Sequence, residues 1–262
     1  MNVIITGAAG RMGRTNIKTV SEDHESKVIG AVEMKGSPVI GNDAGLIAGV
    51  SPLGVNIVDD IASIPGKADV IIDFTVAASL PAHLEYAVRN NIAIVIGATG
   101  LGEKEFALID DAAKKIPLIW APNFSVGVAL IAKLTRITAE ILNDGFDAEI
   151  IEMHHRMKKD APSGTAIKLL NVIKDVYSTG DIVYGREGIT GERPPRQVGV
   201  MALRGGDVVG DHTVIFAGIG ERVEITHKAS TRETFARGAL RAAKYIIGKN
   251  PGRYTMEEVL GL

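Results

Sequence analysis

The sequence predicts an α/β protein. A Rossmann-like, doubly wound parallel-sheet domain is joined to an α+β domain with a mixed or antiparallel sheet. Three observations predict this. The first half alternates short, nearly continuous apolar runs with stretches of helical period, as strands buried on both faces and linked by crossover helices would. A glycine turn, Gly7-Ala8-Ala9-Gly10-Arg11-Met12-Gly13, follows the first run. Beyond about Asn123, strand-like segments succeed one another with few helices, which calls for a second sheet of different construction.

In order, Val3–Thr6 reads as a buried strand and Arg11–Ser21 as the helix after the glycine turn. Lys27–Glu33, Asp69–Thr75, Ile92–Gly97 and Pro117–Ala121 read as further strands, with helices at Ser79–Asn90 and Glu103–Lys115 between them. Ser37–Gly66 is richer in Gly, Pro and Asp and reads as loops with a short helix or strand among them. Ser125–Leu142 has the period of a long helix. Asp147–His154, Gln197–Arg204, His212–Ile219 and Arg222–Lys228 read as strands, the last two joined by a hairpin turn at Gly218–Glu221. Thr165–Tyr177 reads as a helix, and Ser178–Arg196 as a long Gly/Pro/charged segment. Ser230-Thr231-Arg232-Glu233 fits a capping box opening a final helix to about Ile247, which is expected to return to the first domain.

Composition narrows the chemistry. Among 262 residues there is no cysteine, which excludes disulfides, thiolate zinc sites, iron–sulfur clusters and cysteine nucleophiles. Lys and Arg number 29 against 31 Asp and Glu, a net charge of −2 with no electrostatic footprint for nucleic acid. No run approaches about 18 apolar residues, and no secretory leader pattern is present. A cytoplasmic protein is expected, without membrane or nucleic-acid partners.

The glycine turn sits between a strand and a helix. There, glycines let the backbone approach a pyrophosphate and the helix N-terminus supplies free N–H groups. Its spacing is G-x-x-G-x-x-G. Glu33 ends the second strand, twenty residues beyond Gly13, where a carboxylate bonds an adenosine ribose. The alternative is a turn that merely packs helix on sheet. Glu33 would repel a 2′-phosphate, and Lys35 could neutralise one, so NADH and NADPH are both open. Gly97-Ala98-Thr99-Gly100 and Ala121-Pro122-Asn123-Phe124 follow strand ends, where ligands bind in such sheets.

The densest polar cluster is Glu152-Met153-His154-His155-Arg156-Met157-Lys158-Lys159-Asp160-Ala161-Pro162-Ser163-Gly164-Thr165. It combines adjacent histidines and three cations with a Ser-Gly-Thr turn leading into a helix, a local anion site. The combination suits a small dianionic substrate with His or Lys supplying a proton. A solvated charged loop and a histidine metal site are the competing readings.

These residues resemble a known family. GAAGRMG, the DFT of Asp73–Thr75, GATG, APNFSVGV and above all HHRMKKDAPSGTA are similar to 4-hydroxy-tetrahydrodipicolinate reductases, also called dihydrodipicolinate reductases. YGREGITGERPPRQVGVMALRGGDVVGDHTV and GERVEITHKASTRETFARGA carry the likeness over nearly the whole chain. The resemblance implies a dinucleotide-binding domain of residues 1–124 and 235–262, and a substrate-binding and oligomerisation domain of residues 125–234. It implies NADH or NADPH as cofactor, a cyclic imine with two carboxylates as substrate, a step in the diaminopimelate route to lysine, and a homotetramer. Domain closure is expected to bring the nicotinamide to the ring.

By resemblance, His154 is a proton donor or acceptor and Lys158 a proton donor, while His155, Ser163, Gly164 and Thr165 bind substrate. The cofactor segments fall on Gly7, Ala8, Ala9, Gly10, Arg11 and Met12, on Glu33, on Gly97, Ala98 and Thr99, and on Ala121, Pro122, Asn123 and Phe124. Lys35 and Thr75 are placed with them. An ordinary lysine, with a pKa of about 10.4, is protonated at neutral pH, and an ordinary histidine, at about 6.5, mostly is not. That favours Lys158 as proton source, with His154 orienting or relaying.

Two positions depart from the family pattern. Met34, followed by Lys35, stands where many members have Arg, and Met157 stands where some have a third histidine. The first favours NADH being used at least as well as NADPH. Another imino-acid or amino-acid reductase on this architecture, or a non-enzymatic dinucleotide sensor, are the alternative functions.

Overall fold

The computed structural model describes residues 1–177 and 180–262. Ser178 and Thr179, which open the expected Gly/Pro/charged segment, lie outside the described residues. The chain forms two compact units, Met1–Val126 with Arg232–Leu262, and Gly127–Thr231.

In chain order the first stretch runs β1 (Asn2–Thr6), α1 (Arg11–Ser21), β2 (Lys27–Val32), α2 (Ala44–Ala48), β3 (Ile57–Val58), β4 (Val70–Asp73), α3 (Leu80–Asn90), β5 (Ala93–Ile96), α4 (Glu103–Ala113) and β6 (Pro117–Trp120). Then follow α5 (Val126–Ile141), β7 (Asp147–His154), α6 (Gly164–Val176), β8 (Ile182–Val183), β9 (Val198–Arg204), β10 (Gly210–Ala217) and β11 (Arg222–Ala229). The chain closes with α7 (Glu233–Ile246), β12 (Gly252–Tyr254) and α8 (Met256–Leu260).

The first unit holds a parallel sheet in the order β12-β6-β5-β4-β1-β2-β3. The apolar runs of β1, β4 and β5 are buried on both faces, as expected for strands covered by helices on either side. In α3 the buried Leu80, His83, Leu84 and Ala87 recur at helical spacing, Pro81 sits in the first turn, and Asn91 ends the helix in a left-handed conformation. The returning α7 buries Ala236, Gly238, Ala239, Ala242 and Ala243, small residues that let it lie close to β4, β5, β6 and α1.

The loop-rich Ser37–Gly66 region holds short elements, as expected: α2, β3 and a 3₁₀ turn at Ile61–Ser63. Other expectations need correction. The capping box at Ser230–Glu233 does not form. The residue capping α7 is Arg232, in a helical conformation with no side-chain cap, and Glu233 lies inside the first turn with its carboxylate 2.8 Å from Lys18 Nζ. The strand expected at His212–Ile219 is Gly210–Ala217, because both neighbours pair with it from residue 210 or 211 onward. β8, β12 and α8 were not anticipated. Thr255 and Glu258 form a real capping box opening α8, a T-x-x-E signal legible in the sequence.

The second unit has a mixed sheet, β11-β10-β7-β9-β8, antiparallel across β11, β10 and β7, and parallel across β7, β9 and β8. Strand β7 alternates: Ala148, Ile150, Glu152 and His154 are buried, while Glu149, Ile151 and Met153 are half-buried on the other face. The buried face packs with Ile131 and Ala132 of α5 and Leu169, Leu170 and Ile173 of α6. The same alternation that builds this core carries Glu152 and His154 to its edge.

Candidate active site

At the glycine turn, Gly7 has φ +67° and its carbonyl accepts the Gly10 N–H at 3.0 Å. A Cβ on Gly13 would lie 1.9 Å from the Gly7 oxygen, so only glycine lets α1 approach β1 so closely. Ala8 is buried beneath the turn and donates its N–H to Val32 O. Glu33 reaches back from the end of β2. Its Oε2 accepts the Ala9 N–H and its Oε1 the Met34 N–H, both at 2.9 Å. A cleft of about 930 Å³ opens there, lined by Gly7, Ala9, Gly10, Glu33, Lys35 and Thr75 among others.

A second cleft of about 330 Å³ is lined by Met12, Thr75, Gly97, Thr99, Pro122, Asn123 and Phe124. Phe74 and Thr75 border both clefts. Twelve of the sixteen expected cofactor residues line one or both clefts, while Ala8, Ala98 and Ala121 are buried and line neither. Arg11 is exposed and lines neither.

Sequence reading missed what holds the bordering loop. Asp73, with no exposed surface, accepts the Thr75 N–H at 2.9 Å and the Thr75 hydroxyl at 2.6 Å on Oδ1. Its Oδ2 lies 2.7 Å from His83 Nδ1. Burial alone would raise this carboxyl, and the contacts with His83 and Thr75 reverse that and hold it below the usual range. Arg232 and Phe235 also line the smaller cleft and were not singled out. The close glycine turn, the carboxylate at the end of β2 and the open clefts fit a dinucleotide.

The second constellation lies wholly in the second unit. Glu152 is fully buried at the end of β7, and its carboxylate contacts His154 Nδ1 at 2.6 Å, the Ser163 N–H at 3.0 Å and both terminal nitrogens of Arg204 at 2.8 and 2.9 Å. Burial would raise Glu152, but Arg204, His154 and Ser163 together hold it below its ordinary value. For His154, burial is the largest influence and lowers its pKa. The Lys158 and Arg204 charges add to this and outweigh the opposing pull of Glu152.

Lys158 Nζ is paired with both oxygens of Asp160, at 2.9 and 2.8 Å. His155 is half-buried, and its N–H donates to Val208 O. Ser163 caps α6 by accepting the Ala166 N–H, and its hydroxyl lies 2.9 Å from Nε2 of the buried His212. With its N–H on Glu152 and its hydroxyl on His212, Ser163 faces inward. The exposed start of α6 is Gly164, next to the half-buried Thr165. The structure therefore brings His154, His155, Lys158, Gly164 and Thr165 into one neighbourhood and puts Ser163 behind them. The missed members are Glu152, Arg204 and His212. Glu152 belongs to the polar run in the sequence, but its pairing with Arg204, 52 residues on, needs the β7–β9 register.

Two family models together match almost the entire chain: "Dihydrodipicolinate reductase, N-terminus" over residues 1–124 and "Dihydrodipicolinate reductase, C-terminus" over residues 127–260. The chain belongs to the dihydrodipicolinate reductase family. The 4-hydroxy-tetrahydrodipicolinate reductase of Anaeromyxobacter dehalogenans strain 2CP-1 is 51% identical, covering 99% of this chain and 97% of that one. That of Alkalilimnicola ehrlichii is 49% identical, over 99% and 98%. Among solved structures, a dipicolinate-bound dihydrodipicolinate reductase from Paenisporosarcina sp. TG-14 superposes with a TM-score of 0.79, at 25% identity over 98% of both chains. A probable dehydrogenase from Thermotoga maritima shares the fold at a TM-score of 0.62 and 9% identity, over 99% of this chain and 92% of that one. The family's C-terminal model runs through α7 and α8, whereas here those helices pack in the first unit.

Proposed function

We infer that this dihydrodipicolinate reductase family member converts 4-hydroxy-tetrahydrodipicolinate, NAD(P)H and a proton to tetrahydrodipicolinate, NAD(P)⁺ and water, in the diaminopimelate route to lysine. Bound NADH or NADPH supplies the hydride. The observation that carries the reading is the cluster at the end of β7, where a buried imidazole, an ion-paired lysine and the open start of α6 lie together.

Each group has a definable task. The N–H groups at Gly164 and Thr165, with His155 and Lys158, hold the substrate's carboxylates. The Lys158 ammonium, kept in place by Asp160, delivers a proton as charge shifts on the ring. His154, neutral at pH 7 because its pKa is lowered, orients the ring or relays the proton. Ser163 contributes by capping α6, not by touching substrate. The dinucleotide is held by Gly7, Ala9, Gly10 and Glu33 on one side of Thr75, and by Met12, Gly97, Thr99, Asn123 and Phe124 on the other. Glu33 directs the adenosine ribose site towards NADH, with Lys35 available to a 2′-phosphate.

The uncovered face of the second sheet carries Ile151, Met153, Met201, Leu203 and Ile215 in adjoining registers. This apolar surface supports assembly of copies, a homotetramer, through the substrate unit. Among the described residues no helix is long and apolar enough to cross a membrane, and the cytoplasm, where pyridine nucleotides circulate, is the proposed setting.

The test is NADH oxidation with the cyclic substrate generated in situ. Lys158→Ala is expected to lower kcat by about 100-fold or more while NADH binding is retained. Normal turnover by that variant would sink the assignment of Lys158, and reduction of an acyclic imine but not the cyclic substrate would overturn the reaction. Parallel kinetics with the two cofactors are expected to favour NADH or to be equal.

A further inference from the structure

We propose that Glu152 and Arg204 are a positioning pair that sets the tautomer and orientation of His154 and links it to the Lys158 loop. The proposal rests on the reading of His154 and Lys158 as the proton-handling residues. Strands β7 and β9 are parallel neighbours with His154 opposite Arg204, so the guanidinium and the imidazole start from one register position. Glu152 lies two residues before His154 on the same buried face.

The hydrogen-bond inventory around Glu152 decides the proton position. An ionised carboxylate only accepts, a guanidinium only donates, and the Ser163 N–H donates. Arg204 approaches through both terminal nitrogens, and Ser163 occupies Oε1. The remaining contact, 2.6 Å to His154 Nδ1, is then made by an Nδ1–H donor. Nε2 is left as the ring nitrogen for chemistry.

Arg204 has a second task. The nitrogen that meets Glu152 Oε1 also donates to the Asp160 carbonyl at 2.7 Å, and the Asp160 carboxylate holds Lys158 Nζ. One guanidinium therefore fixes both the partner of His154 and the backbone beside the partner of Lys158. The other groups facing His154 are Lys158 and the His212 ring, edge-on with centroids 5.1 Å apart. Gly210 lies close enough that an added Cβ would sit 3.0 Å from His154 Nε2. A pair that only stapled β7 to β9 would affect stability and leave the imidazole unchanged.

The experiment compares full-length wild type, Glu152→Gln and Arg204→Lys. The readouts are thermal unfolding, NADH binding, steady-state kinetics and the ¹⁵N signals of His154. Glu152→Gln offers an amide in place of one acceptor. The expected result is a folded protein with unchanged NADH affinity, a kcat ten- to a hundredfold lower (roughly, as for lost outer partners of a functional histidine), and a His154 population no longer confined to Nδ1–H. Arg204→Lys keeps the charge but loses the fork, and is expected to lower kcat in the same direction by less; it serves as the test if Glu152→Gln does not fold. Wild-type kcat with an unchanged His154 signal in whichever variant folds overturns the proposal. His154→Gln with normal kcat would instead remove the reading beneath it, and the ¹⁵N tautomer would still report on the pair, so the two failures are distinguishable.

Discussion

Asp73 has no exposed surface, yet its carboxyl is held below its ordinary value of 3.8 by contacts with His83 and Thr75. His83→Ala removes one partner and leaves a buried charge, so it is expected to destabilise the protein by about 3 kcal/mol or more, measured by urea unfolding. His212 shows the opposite case. Burial, with the nearby His154 charge adding to it, pushes it from 6.5 down to about 4. Below about pH 6.5 the unfolded chain takes up a proton that the folded chain refuses until about pH 4. Stability from this group is therefore complete above that window, falls as pH drops through it and levels off below, by up to about 3 kcal/mol. His154 and His227 are also lowered by burial and act in the same direction. His212→Gln is expected to flatten the fall, and unfolding curves at several pH values between about 7 and about 4 would detect it. At this scale the motif His154–Thr165 was legible because its chemistry is local. The Asp73–His83 contact was not, because a lone histidine on a helical apolar face reads as core.

Elements differ in how much close approach they demand. A Cβ on Gly238 of α7 would sit 1.7 Å from the Phe124 carbonyl oxygen, so the helix must move to accept even alanine. Gly238→Ala is expected to cost about 2 kcal/mol or more and to disturb Phe124, which lines the smaller cleft; calorimetry and NADH titration check both effects. Gly164, at the start of α6, has nothing within 4 Å of an added Cβ. Gly164→Ala should change stability by no more than about 0.5 kcal/mol while raising KM for the cyclic substrate, because the methyl enters the proposed anion site. Long periodic helices and buried strands were read to within a few residues. The expected capping box at Ser230 and the one at Thr255 share one spacing, but α7 opens after Arg232 with no side-chain cap, whereas Thr255 itself caps α8.

For the whole molecule, the first unit is built from both ends of the chain. α7 covers β4, β5 and β6, and β12 extends the sheet beyond β6. A chain ending at Thr231 would expose that apolar surface, and is expected to lose NADH binding and aggregate, as dye-binding and light scattering would show. The uncovered face of the second sheet supplies a separate prediction. Met201→Lys with Leu203→Glu places charges on it and is expected to reduce the sedimenting mass below that of the wild type. An unchanged mass would exclude this face as the assembly surface. The return of the last helix was foreseen, while β12, a three-residue strand with no periodicity to read, was not.

The sequence by itself determined the strand–helix alternation, the glycine turn with its acidic partner, and the polar run from Glu152 to Thr165. All of these depend on residues near one another in the chain, where period, turn chemistry and capping act. Only the tertiary structure decided that Ser163 faces inward, that Arg204 grips Glu152, and that Asp73 and His83 meet beneath the cleft loop. Those contacts join residues 10 to 52 positions apart, and 49 in the case of Ser163 and His212. A buried carboxylate must find donors wherever the fold brings them, and sheet register, not local spacing, supplies them.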